Sequence, residues 1–201
     1  MTKALGLLSI LAATAAGAAD PATGVATSAV ADLVDVTNSV CYPHATGELP
    51  FTATPKTDKQ ILAAKKLTAG ITGETKERLG RAGFTFLSGS IMAQRPSGAD
   101  MIVLGVEGDM PGCKTILVSA STDSVTDAAA AAFTASSLGW KEAPSTNQPG
   151  APLQKRMFVR RDGKGVPYVL NLTTTAIPNS QIRVFTTVNP IPDSVQLPEG
   201  F

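Results

Sequence analysis

Apolar positions in the first part of the chain recur at helical spacing and then give way to runs of branched residues. Val25, Ala29, Leu33 and Val36 fall close to a 3.6-residue period, which predicts a helix within Ala22 to Val40. Pro43, in Cys41-Tyr42-Pro43-His44, disfavours helical backbone at the preceding residue, so the helix is expected to stop there. Glu48 to Pro55 then reads as a loop. Thr57-Asp58-Lys59-Gln60 has the form of a capping box and predicts a helix carrying Ile61, Leu62 and Leu67 as far as Gly70. A short helix through Arg81 follows, with Glu74/Arg78 and Glu77/Arg81 in the favourable i,i+4 order. Gly83 and Phe84 provide its stop.

From there the pattern changes to strands. Phe84 to Gln94, Asp100 to Glu107 and Lys114 to Ala120 are rich in branched residues and are separated by Pro/Gly turns. Val125, Ala129, Ala132 and Phe133 lie on one face of a helix expected over about 125–138, with caps in Ser121 to Ser124 and an end at Gly139-Trp140. After a Pro-rich loop over 144–152, Leu153 to Arg161, Val166 to Thr174 and Gln181 to Val188 read as three more strands. Asp162-Gly163-Lys164-Gly165 and Ile177-Pro178-Asn179 supply their turns.

The fold class this predicts is α+β: a mostly antiparallel sheet of about six strands with helices packed on one side. The order of elements also matches between 73–121 and 122–188, pointing to two α-β-β-β repeats. Met101 through Pro111 aligns with Tyr168 through Pro178 without a gap, at an offset of 67. Identity is low, so a duplication and a coincidence of two antiparallel segments both account for it. The organisation expected is a leader over 1–19, an N-terminal helix and loop over 20–56, the α+β domain over 57–188, and an extended C-terminal tail over 189–201.

The leader has the form of a secretory signal peptide. Lys3 precedes an apolar stretch from Ala4 to Ala13, and Ala15-Ala16-Gly17-Ala18-Ala19 offers small residues for cleavage. The Leu/Ile-rich part, Leu5 to Leu11, is far shorter than the roughly 20 residues that span a bilayer. The expected product is exported, periplasmic or extracellular, with no membrane span once the signal is removed. Over 201 residues the chain is 43% apolar and 16% charged, enough to bury a core. Seventeen cationic residues oppose sixteen acidic ones, and loss of Lys3 makes the balance neutral. That argues against nucleic acid as a partner, because phosphate-backbone binding needs a strong positive field.

An oxidising destination also changes how Cys41 and Cys113 are read. They are the two cysteines of the chain, so a disulfide closing a loop of about 72 residues is expected. Cys41 next to His44 also has the ingredients of a nucleophile with its base, but the disulfide would consume the thiolate. Cys41, His44 and Cys113 do not make a closed zinc ligand set, and the spacing is not that of haem attachment. No cofactor or metal is therefore expected.

Other motifs have plainer readings. Gly112-Cys113-Lys114-Thr115 resembles the end of a phosphate loop, but Cys intervenes before Lys and a strand follows. Leu87-Ser88-Gly89-Ser90-Ile91 has the wrong order for a serine nucleophile turn, and Glu107 and Asp109 read as solvated turn acids. Lys155 to Arg161 is the basic cluster. As a strand it places Arg156, Phe158 and Arg160 on one face, a pattern of an edge strand guarded by charge or of an anion-binding patch. Asn171-Leu172-Thr173 is a glycosylation sequon inside an expected strand. Trp140 and Phe84 read as packing residues at helix ends.

These readings lead to an exported, non-enzymatic binding or interaction domain of the cell envelope, with an unidentified protein or small molecule as partner. The alternatives are a small exported hydrolase with a dispersed site and a purely structural envelope protein. An enzyme would gather polar groups in a concave pocket, and an interaction domain would show a flat apolar patch or an open strand edge.

Overall fold

The computed structural model describes residues 21–50, 57–58, 66–95, 99–118, 122–135, 137–144, 147, 151–177, 180 and 182–201. The expected leader, most of the helix predicted after Thr57, the Pro96-Ser97-Gly98 turn, Ser121 and parts of the 144–152 loop lie outside them. Among the described residues, no helix is long and apolar enough to cross a membrane.

Helix α1 (Pro21–Val36) does not stop before Pro43. It passes through a π-helical turn (Thr37–Cys41) into one more helical turn, α2 (Tyr42–Ala45). The wider π turn changes which amides reach the carbonyls of the preceding turn. Two of its side chains bond back one turn: Asn38 Nδ2 donates to the Val34 carbonyl at 2.8 Å and Ser39 Oγ to that of Asp35 at 2.7 Å. Pro43 is the second residue of α2, immediately after the π turn in which the Tyr42 amide donates to the Thr37 carbonyl.

Helix α3 (Gly73–Arg81) begins at Thr72, whose hydroxyl accepts from the Thr75 amide at 3.3 Å. It ends as the sequence predicts: Gly83 takes φ +86°, its amide donates to the Gly80 carbonyl, and the Phe84 amide donates to that of Leu79 at 3.0 Å. Helix α4 (Thr122–Phe133) is shorter than expected.

Eight antiparallel strands form one sheet: β1 (Thr68–Ala69), β2 (Ser90–Gln94), β3 (Met101–Val106), β4 (Gly112–Val118), β5 (Lys141–Ala143), β6 (Leu153–Arg161), β7 (Pro167–Thr175) and β8 (Ile182–Pro190). Their order is β1-β2-β3-β4-β8-β7-β6-β5, so the meander of β2 to β4 meets that of β6 to β8 at the central β4/β8 pair. The α+β, antiparallel character expected from the sequence holds. The additional strands, β1 and β5, are two and three residues long, too short to show an alternating pattern. The first expected strand starts at Ser90 rather than Phe84.

Register explains the two faces. Ala93, Val103, Thr115, Thr186, Leu172 and Arg156 form one row across six strands. Cys113, Val188, Leu170 and Phe158 belong to the next row on that face. Helix α1, with its π turn, and helix α4 pack against each other and cover this face, burying Leu33, Val36, Val40, Ala129 and Phe133 with it. The opposite face carries Ile102, Leu104 and Ile116, and there Leu79 of α3 is buried. The helices are thus not confined to one side. Only Leu79 of the amphipathic α3 carries apolar bulk into that second cluster, worth about 1.5–3 kcal/mol of burial.

The chain beyond β8 folds back. The Ile191 amide donates to the Pro167 carbonyl at 2.9 Å, and Arg161 Nη2 reaches the Phe201 carbonyl oxygen at 3.0 Å.

Candidate functional site

Cys41 and Cys113 form the expected disulfide, tying the π turn to β4 with Cα atoms 5.1 Å apart. A disulfide sulfur has no proton, so in the 3.2 Å contact between Cys41 Sγ and Thr115 Oγ1 the hydroxyl is the donor. His44 is buried, 2% exposed, with Nε2 3.0 Å from the Val106 carbonyl oxygen. A carbonyl only accepts, so Nε2 carries the proton. Neither half of the Cys41/His44 pair is therefore arranged as nucleophile and base.

The other sequence motifs also resolve into structure. Lys114 lies on a strand, not at a helix start, and its ammonium sits 4.7 Å from the centre of the Phe84 ring and 5.3 Å from that of Phe185. Burial holds its pKa below the usual lysine value. It borders a cavity of about 250 Å³ that also includes Leu87 and Met110.

The basic cluster is split by strand alternation. Arg156 grips Glu142 through Nε at 2.6 Å and Nη2 at 2.8 Å, and reaches Asp127 of α4 at 2.9 Å. The Glu142 hydrogen bonds raise its pKa above the usual value, outweighing desolvation. β6 is not an edge strand: β5 covers Met157 to Val159, and the Asn147 side chain bonds both backbone groups of Lys155 at 2.8 Å.

Arg160 is held differently. Its guanidinium lies 4.1 Å from the centre of the Tyr42 ring and 6.0 Å from Trp140. Among the described residues it makes no hydrogen bond or ion pair. The Tyr42 ring is gripped edge-on by Trp140 at 5.4 Å and Tyr168 at 5.6 Å, and the indole N–H of Trp140 is fixed by Asn38 Oδ1 at 2.9 Å. Tyr42 is 7% exposed, and its hydroxyl is the buried side-chain polar atom that has no hydrogen-bond partner among the described residues.

These groups border a pocket of about 420 Å³ between the Thr46-Gly47-Glu48 turn and the Arg160 to Lys164 hairpin. Burial raises the Tyr42 pKa, Arg160 opposes the rise, and Asp162, Tyr168 and Glu48 add to it. The hydroxyl therefore stays protonated, able to donate and accept, and it senses charges that line the pocket. Asp162 is anchored, with Oδ1 accepting from the Lys164 amide at 2.8 Å and the Val166 amide at 2.9 Å. Tyr42 and Arg160 lie 118 positions apart in sequence, and nothing local in either segment announces their contact. The alternation placing Arg160 with Phe158 was the one legible part.

No family model matches this chain, and no curated protein or solved structure is found to be similar to it.

Proposed function

We propose that the chain is an exported, non-enzymatic binding domain of the cell envelope, with the Tyr42/Arg160 pocket as its site. The observation that carries this reading is an Arg160 guanidinium set over the Tyr42 ring, with no hydrogen-bond acceptor for the guanidinium and no partner for the buried Tyr42 hydroxyl among the described residues. A buried hydroxyl without a partner costs about 1–3 kcal/mol, and a ligand supplying one recovers it. The commitment of His44 to Val106, and of both sulfurs to a disulfide, favours binding over nucleophilic chemistry. The disulfide also favours an oxidising compartment.

The pairing of strands about β4/β8 supports a duplication with boundaries different from those the sequence pattern proposes. Here α1 with β1 to β4 corresponds to α4 with β5 to β8, because α1 and α4 share one face and α3 lies on the other. In this arrangement Met101 of β3 still corresponds to Tyr168 of β7, at the offset of 67.

The test is expression in an exporting bacterial host, followed by intact and native mass spectrometry of the periplasmic protein. The expected result is a chain cut after Ala18 or Ala19 that carries a bound small molecule or a partner protein. Retention of residues 1–19 refutes export. A ligand-free protein whose thermal midpoint no compound in a metabolite panel shifts refutes the binding reading.

A further inference from the structure

Resting on that reading of the pocket, we infer that its ligand is a small organic acid, with a single carboxylate received by the Arg160 guanidinium and the Tyr42 hydroxyl. The guanidinium presents planar, paired donors that match a carboxylate, and its contact with the Tyr42 ring face, 4.1 Å from the ring centre, holds it without using those donors. The Tyr42 hydroxyl offers a further donor from a position that burial has already stripped of water.

Charge sets the valence of the ligand. Arg160, Arg161 and Lys164 face Glu48 and Asp162 around the pocket, a surplus of one positive charge. A monoanion neutralises that surplus, whereas a dianionic phosphate or dicarboxylate would meet the two lining acids with charge left over. The volume of about 420 Å³ lies in the range of small-molecule sites.

Trp140 makes the experiment simple, since it is the single tryptophan of the chain and lies against both Tyr42 and Arg160. Its fluorescence is followed in the disulfide-bonded protein during titration with acetate, benzoate, succinate and inorganic phosphate, at constant ionic strength set with chloride. A saturable change with acetate or benzoate is expected, tighter than with succinate or phosphate. Arg160→Gln should weaken it by about tenfold or more, as loss of a charged hydrogen bond does. Arg160→Lys should restore only part of the affinity, because the fork is lost while the charge remains. Tyr42→Phe should also weaken binding by about tenfold or more, because the hydroxyl donates to a charged carboxylate. Lys114→Gln, on the other face of the sheet, should leave binding unchanged.

Absence of saturable binding by either monocarboxylate overturns the inference, as does equal affinity in Arg160→Gln with the fold intact by circular dichroism. Tighter binding of phosphate or succinate overturns the monoanion assignment. If native mass spectrometry finds a ligand without a carboxylate, the carboxylate inference falls while the binding reading stands.

Discussion

Thr37 and Thr186, 149 positions apart, share a hydroxyl hydrogen bond of 3.0 Å in the core. Both are fully buried, so the π turn and the central strand β8 are joined at a point where water has no access. Thr186→Val should therefore cost about 1–3 kcal/mol, because it strands the Thr37 hydroxyl. The double variant Thr37→Val, Thr186→Val should cost less than the sum of the two single variants. A double-mutant cycle by urea denaturation checks this, and strict additivity would show that the contact carries no coupling.

The Cys41–Cys113 bridge closes a loop of 72 residues onto the middle of the sheet. On the chain-entropy model its removal costs about 4 kcal/mol, comparable with the net stability of a small domain. Cys41→Ala with Cys113→Ala should lower the denaturation midpoint sharply. Alkylation of the unreduced protein followed by mass spectrometry should label no thiol, and two labelled thiols contradict the bridge.

Asp35 gives stability a defined acid limb. Partial burial by itself would raise its pKa, but hydrogen bonds and charges from Lys66, at 2.8 Å, and Arg95, at 3.4 Å, hold it below the ordinary value of 3.8. A lowered folded pKa means the contribution is fully present above the unfolded value and is lost as pH falls through the folded one. Asp35→Asn should thus be less stable than the parent at pH 7, with the gap closing below about pH 4. The carboxylate is more than a third exposed, so the gap at pH 7 should be under about 1 kcal/mol. Urea midpoints at pH 7 and pH 3 measure it, and a gap independent of pH would assign the effect to something other than charge.

Tyr42→Phe should leave stability unchanged or raise it by up to about 1 kcal/mol, since it removes a buried hydroxyl that has no partner among the described residues and keeps the ring. Thermal denaturation of the ligand-free protein separates this from the Thr186 case. A loss larger than 1 kcal/mol would reveal that the hydroxyl is bonded in solution.

The two meanders were legible in the sequence because their strands are runs rich in branched residues and their turns carry Gly, Pro or Asp. The stop of α3 was legible because Gly83 and Phe84 sit at the positions a left-handed cap requires. Continuation of the helix through Pro43 was not. It runs through a π turn in which the Tyr42 amide reaches the Thr37 carbonyl, and that turn is buried against the sheet.

The candidate site was legible only in fragments. Cys41, His44, Arg156 and Arg160 stood out as residue types able to do chemistry. What each does follows from a neighbour remote in sequence: Cys113 for Cys41, Val106 for His44, Glu142 and Asp127 for Arg156, and Tyr42 for Arg160.

By itself, then, the sequence determined local properties: periodicity, the Gly83 stop of α3, turns, the neutral balance that follows if the leader is removed, and the availability of one pair of cysteine sulfurs. Those are set by interactions within a few residues or by counting. Tertiary structure alone decided that β4 pairs with β8, that α3 lies on the opposite face from α1 and α4, and that Arg160 lies over the Tyr42 ring. Such choices depend on which distant surfaces exclude water together, and no short window of sequence contains both partners.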